Sequence, residues 1–115
     1  MPMVAPPPPP PAYGPPSPDQ LKKRQDAIRG AIRHTWSGYK AHAWGQDNLN
    51  PVSGRGSSGG FGHAVTMVDS LDTLWIAGMK EEFKEAADWC AANLGGRFAS
   101  LGGGMSAFET TIRSL

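Results

Sequence analysis

The stretch Thr66–Gly78, TMVDSLDTLWIAG, sets two carboxylates in the most apolar segment of the chain. Read as a helix, Met67, Val68, Leu71, Leu74, Trp75 and Ile76 take up most of its circumference, which predicts an element covered on nearly all sides. Asp69 and Asp72 stand at i and i+3, so both carboxylates leave one side of that helix, with Thr73 beside Asp72. An ionised carboxylate without a partner in a dry core is costly, so this side must face a polar cavity, a cation or a bed of hydrogen-bond donors. The same pair also suits an ordinary structural role, bonded to backbone amides or to an arginine, and the residues alone leave both readings open.

A second constraint is how little of the 115 residues can fold. Ten of the eleven prolines lie between Pro2 and Pro18, including the unbroken run Pro6–Pro11, and no charged residue falls among them. With only Met1, Met3, Val4, Ala5, Ala12 and Tyr13 as apolar side chains besides proline, residues 1–18 cannot bury a core and are expected to form a disordered, polyproline-II-prone tail. Pro6–Pro11 also fits an SH3 or WW domain, but no basic anchor flanks it, which favours a spacer over a partner ligand. Residues 19–115 remain for one small domain or for part of a larger one.

Eleven Lys and Arg against ten Asp and Glu argue against a nucleic-acid surface. Lys22, Lys23, Arg24, Arg29, Arg33 and Lys40 make the first expected helix basic, and Glu81, Glu82, Glu85 and Asp88 make a later one acidic; a solvated face accounts for each. No apolar run approaches the roughly 20 residues that span a bilayer, and the proline-rich start lacks the apolar core of a signal peptide. Cys90 is the single cysteine, expected on a buried helix face, and allows no intrachain disulfide.

Taken in order, Ser17-Pro18-Asp19-Gln20 reads as a helix start, with Ser17 as cap, Pro18 in the first turn and Gln20 closing a capping box. Leu21, Ile28, Ile32, Thr35, Trp36 and Tyr39 then form one apolar stripe to about Ala41, and Gly30 and Gly38 open that helix to close approach by another. The glycine-rich segment from Trp44 to Gly62 has no periodicity and reads as a long loop, in which Trp44, Asp47, Asn48 and Arg55, with His63 just beyond, are candidates to touch a polar ligand. His34, His42 and His63 do not have zinc spacing. A third helix follows Gly78, with Phe83, Ala86, Ala87, Cys90 and Leu94 on its apolar face and a stop at Gly95-Gly96. After an irregular stretch, Ser106-Ala107-Phe108-Glu109 matches the capping box S-x-x-E and opens a last short helix.

Four segments in this order, GYKAHAWGQDNLNPVSGRG, TMVDSLDTLWIAGMKEEFKEAADW, the glycine-containing link and SAFETTIR, resemble the N-terminal part of the class I α-1,2-mannosidases, glycoside hydrolase family 47. The specific motifs are D-S-L-D-T-L and F-E-T-T-I-R, and the resemblance covers roughly Gln20 to Leu115. It implies an all-α chain forming the opening helices of a truncated (α/α)7 barrel, with residues 19–115 as the N-terminal fragment of the catalytic domain. It further implies inverting hydrolysis of terminal α-1,2-linked mannose from high-mannose N-glycans in the ER or Golgi, and a bound Ca2+ whose main ligand lies outside this chain, leaving no metal ligand within it.

Within that resemblance, Glu109 falls on the proposed general acid and Arg113 on a substrate-contacting arginine one turn later, while Asp69 and Asp72 fall on substrate-binding acids. By sequence alone Glu109 is equally a capping-box residue. An inverting glycosidase also needs a second carboxylate to activate water. The family carries that base, the remaining acids and the calcium-binding threonine after the arginine, beyond Leu115. The triple glycine Gly102–Gly104 departs from the usual more apolar approach to F-E-T-T-I-R, and the membrane anchor typical of eukaryotic members is missing. These gaps raise the expectation of a truncated product or an incomplete gene model. A different class, a non-catalytic helical interaction module with a proline-rich tail, is the alternative.

Overall fold

The computed structural model describes residues 9, 14–58, 61–100 and 112. The described chain is mostly helical. Its first helix, α1, covers Pro18–His42, and its start follows the local chemistry: Gln20 N donates to Ser17 Oγ at 3.3 Å and Ser17 N donates to Gln20 Oε1 at 2.9 Å. Such a cap contributes about 1 kcal/mol. The apolar stripe is buried only toward its C-terminal end, at Trp36 and Tyr39, whereas Ile28 is 61% exposed. Among the described residues no other part of the chain comes within 4 Å of a Cβ added at Gly30, and Gly38 admits not a helix but Leu49, whose Cδ2 would lie 3.5 Å from an added Cβ.

The segment expected to be loop throughout contains a short hairpin, β1 Asn48–Asn50 and β2 Arg55–Ser57, antiparallel with Leu49 opposite Gly56. Its turn closes through Gly54 N donating to Asn50 O at 2.9 Å, with Gly54 at φ +67°. Strands of three residues carry too little alternation to be read from sequence. Gly56 lies so close to α1 that a Cβ would come within 2.9 Å of Ala43 Cα. The hairpin is therefore pressed against the C-terminal end of α1.

Helices α2, Val65–Ile76, and α3, Lys80–Ser100, form an antiparallel pair. The corner between them is a Schellman motif, in which Gly78 at φ +75° donates to Trp75 O at 3.1 Å and Met79 N donates to Leu74 O at 2.9 Å. Leu74 and Met79 are the matching buried apolar pair. Arg29 of α1 adds an Nε donation to Ala77 O at 2.7 Å, which ties α1 to the same corner. The core joins Trp36, Tyr39 and Ala43 with Met67, Leu74, Met79, Ala86 and Cys90, and burial pushes the Cys90 thiol pKa up. The charged faces of α1 and α3 are more than solvated surfaces, because Lys40 Nζ meets Glu85 Oε2 at 2.7 Å and Arg33 Nε meets Glu82 Oε1 at 3.7 Å.

Helix α3 does not stop at Gly95-Gly96 but runs on to Ser100. Two side chains beyond the glycines hold it. Arg97 Nη1 donates to Gly45 O at 2.6 Å while its guanidinium lies 5.1 Å from the Trp89 ring, and Phe98 stacks on His63 at 5.2 Å. These outweigh a helical glycine's cost of about 1 kcal/mol. Gly45, at φ +76°, is the point where the loop meets α3, since a Cβ there would lie 2.6 Å from Trp89 Cζ2. Gly45→Ala is accordingly expected to cost about 2–4 kcal/mol, from left-handed strain plus overpacking. A urea midpoint equal to that of the parent chain would contradict this.

Candidate active site

The acid pair of α2 lies differently from the expectation of an all-round covered helix. Val65, Met67 and Leu74 are buried and Val68 and Leu71 half-buried, but Asp69, Asp72, Trp75 and Ile76 are exposed. One side of α2 packs on α1 and α3, and the side with both carboxylates is turned away from the core. Asp72 Oδ1 accepts from Thr73 N at 2.7 Å. Neither carboxylate therefore carries a burial cost. Trp75 is occupied on its ring by Lys80, whose Nζ lies 3.1 Å from the centroid and donates to Trp75 O at 2.8 Å.

The buried carboxylate of this fold is Asp47 instead. Fully enclosed, it accepts at Oδ2 from Phe61 N (2.7 Å) and Gly62 N (2.5 Å), and at Oδ1 from His63 N (3.1 Å) and Val65 N (3.2 Å). Its backbone carbonyl accepts from Thr66 N at 3.2 Å. Burial alone would raise its pKa, but the N–H groups of Gly62, Val65 and Phe61 and the nearby His63 outweigh it and hold the carboxyl below its ordinary value. Asp47 thereby serves as the N-terminal cap of α2 from 18 residues upstream. The residue before the helix, Ala64, is left-handed at φ 59° and offers no side-chain cap.

Of the loop residues expected to touch a ligand, Asp47 and His63 are thus interior, Trp44 packs on Trp36 at 5.8 Å, and Asn48 and Arg55 are exposed on the hairpin. The signal for Asp47 was present in the sequence. No Ser, Thr, Asp or Asn precedes the apolar run at Val65, so the first N–H groups of α2 had to find an acceptor elsewhere. Tyr39 is held in the same region by donating to Gln46 O at 2.8 Å, and burial pushes its pKa up to about 12. Glu109 and Arg113, the acid and the arginine expected on the last helix, lie outside the described residues. Among the described residues no three His, Cys, Asp or Glu side chains gather where they could hold a metal ion.

The geometry thus presents one acid-bearing helix face directed outward from a small core. Its sequence matches a known family: the profile of Glycosyl hydrolase family 47 covers residues 31–115. The chain belongs to this family. It is 43% identical over 98 residues to the endoplasmic reticulum mannosyl-oligosaccharide 1,2-alpha-mannosidase of Rattus norvegicus, covering 85% of this chain and 14% of that protein. To the Homo sapiens protein of the same name it is 41% identical over 99 residues, covering 86% and 14%. To the mannosyl-oligosaccharide 1,2-alpha-mannosidase MNS1 of Arabidopsis thaliana it is 42% identical over 92 residues, covering 80% and 16%. This family 47 chain therefore spans about one-seventh of the length of the relatives it matches. Among its described residues no helix is long and apolar enough to cross a membrane.

Proposed function

We propose that residues 19–115 are the opening part of a 1,2-α-mannosidase catalytic domain, which removes terminal α-1,2-linked mannose from high-mannose N-glycans with inversion. The similarity to proteins named for that activity, 43% identical over 98 residues, carries this reading. It takes precedence over the interaction-module alternative, which no described feature favours. In this reading α1, α2 and α3 begin an (α/α)7 barrel, residues 1–18 are a proline-rich tail outside it, and the protein works in the ER or Golgi.

The roles follow from the chemistry of the side chains. Glu109 protonates the departing glycosidic oxygen as the bond to the mannose anomeric carbon breaks, and a water activated by a second carboxylate attacks from the opposite face. Such an acid and base stand about 6.5–9.5 Å apart in inverting enzymes. Arg113, four residues after Glu109 in the sequence, binds sugar hydroxyls. Asp69 and Asp72 do so from α2, and their exposure on the side of that helix turned away from the core supports this role. Calcium does not fit the described residues, which gather no set of acid or histidine ligands. Its ligands belong to the remainder of the protein, and no step above passes through it.

Three acids of α3 are engaged in ion pairs and do not suit the second carboxylate. Glu82 and Glu85 are paired with Arg33 and Lys40, and Asp88 with Lys84. The 115 residues alone are expected to leave an α-1,2-linked mannose disaccharide intact, while the intact protein releases mannose first seen as the inverted, β anomer by proton NMR. Turnover by the isolated chain, or initial release of the α anomer by the intact protein, would contradict the proposal.

A further inference from the structure

Helix α2 supplies no charge to either of its own ends: its first turn holds no acid, its last turn no base, and Ala64 gives it no side-chain cap. Both charges are brought from outside. At the N-terminal end the Asp47 carboxylate accepts from Val65 N at 3.2 Å, and the Asp47 carbonyl accepts from Thr66 N at 3.2 Å. At the C-terminal end Arg29 of α1 donates from Nε to Ala77 O at 2.7 Å, while its Nη1 meets Asp26 Oδ1 at 3.2 Å and so holds the guanidinium at the corner. An anion at a helix N-terminus and a cation at its C-terminus each suit the macrodipole.

Both ties lead back to α1. Tyr39 of that helix donates to Gln46 O at 2.8 Å, next to Asp47, and Arg29 lies on α1 itself. Between the two ties the helices leave a cleft of about 310 Å³, bordered by Thr35 and Tyr39 on one side and Thr66 and Ser70 on the other. Apolar contact is non-directional, whereas a hydrogen bond weakens steeply as its angle closes, so the two ties set the angle of α2 to α1. The ion pairs of Arg33 and Lys40 run to α3 instead, and Lys80 reaches Trp75 O from α3, which the Gly78 corner already joins to α2.

The two acids of α2 lie between these ties. At about 1.5 Å per residue, Asp69 is about 6 Å along the helix from Val65 and Asp72 about 10 Å. Without the tie at Ala77, a tilt of about 10° about the Val65 end moves Asp72 by roughly 2 Å and Asp69 by roughly 1 Å. A shift of about 1 Å is enough to spoil a positioned contact.

We propose, on the reading that Asp69 and Asp72 bind sugar hydroxyls, that Arg29 is a positioning residue for them. With Asp47 at the opposite end, it fixes the tilt of α2 and thereby the place of its acids, that of Asp72 above all.

The test uses the intact protein and an α-1,2-linked mannose disaccharide. Arg29→Met removes the donor and keeps the length of the side chain. A sugar contact made equally in ground and transition states appears in KM, so KM should rise about ten-fold with kcat unchanged. Arg29→Lys restores a donor within reach of Ala77 O and should bring KM back to within about three-fold of the parent. Arg33→Met, one turn further along α1, breaks the link to Glu82 of α3 and leaves both ties in place, so its KM should equal the parent's. In an Asp72→Asn background, itself raised in KM, Arg29→Met should add less than about two-fold, because both changes act on one contact. An unchanged KM in Arg29→Met, an equal rise in Arg33→Met, or a full further rise of about ten-fold in the Asp72→Asn background would overturn the proposal. If Asp69→Asn and Asp72→Asn themselves leave KM at the parent value, the sugar-binding assignment of the acids falls, and the positioning role with it.

Discussion

Replacing Asp47 by asparagine is expected to cost about 3–5 kcal/mol of folding stability, the scale on which breaking a buried, hydrogen-bonded charge falls. The carboxylate has four backbone donors and no exposure, and an amide can satisfy only one side of that arrangement. Its NH2 group would point at N–H groups that need an acceptor. The turn Phe61–Ala64 and the first turn of α2 should loosen together, since both hang on this side chain. Urea unfolding followed by circular dichroism checks the size, and a midpoint within error of the parent's would contradict it.

The same residue gives a pH dependence of definite sign. Its folded pKa lies below its ordinary value, so the unfolded chain takes up the proton first as pH falls. The stabilisation is complete above the unfolded pKa of about 3.9 and is lost as pH falls through the folded value. The asparagine variant should lack this part of the acid limb, which separates loss of the charge from simple mispacking.

Elements set by neighbouring residues could be read from the sequence, and those set by distant contacts could not. The start of α1 is a local matter of Ser17, Pro18 and Gln20, and the turn at Gly78 is a local matter of a residue that accepts positive φ. Gly95-Gly96 has the same local chemistry as a helix stop, yet α3 continues because Arg97 reaches Gly45 and Phe98 reaches His63, partners 52 and 35 positions away. The exposure of Trp75 and Ile76 was hidden for a related reason. Apolar content shows that a face is to be covered, but not whether the covering helix lies within the 115 residues.

The acid-bearing side of α2 was legible as a pair of carboxylates on one face, and its outward direction was not. The sequence suggested a core that would have to accommodate Asp69 and Asp72, whereas the fold puts the burden of a buried carboxylate on Asp47 and leaves the pair of α2 toward solvent. One α2 face thus supplies the core and the opposite face supplies the acids.

Glu109 carries the proposal's heaviest chemical demand, because no departing sugar oxygen leaves readily without a proton. Glutamine keeps the shape and the hydrogen-bonding reach of glutamate and removes the transferable proton, so it separates acid catalysis from packing and from the capping-box role. Loss of one positioned general acid lowers turnover by about 10²–10⁴-fold. The decisive measurement is the turnover number of the intact protein and of its Glu109→Gln variant on an α-1,2-linked mannose disaccharide, with helical content matched by circular dichroism. The account predicts a fall of about 10²–10⁴-fold with the fold unchanged; an unchanged turnover number would contradict it.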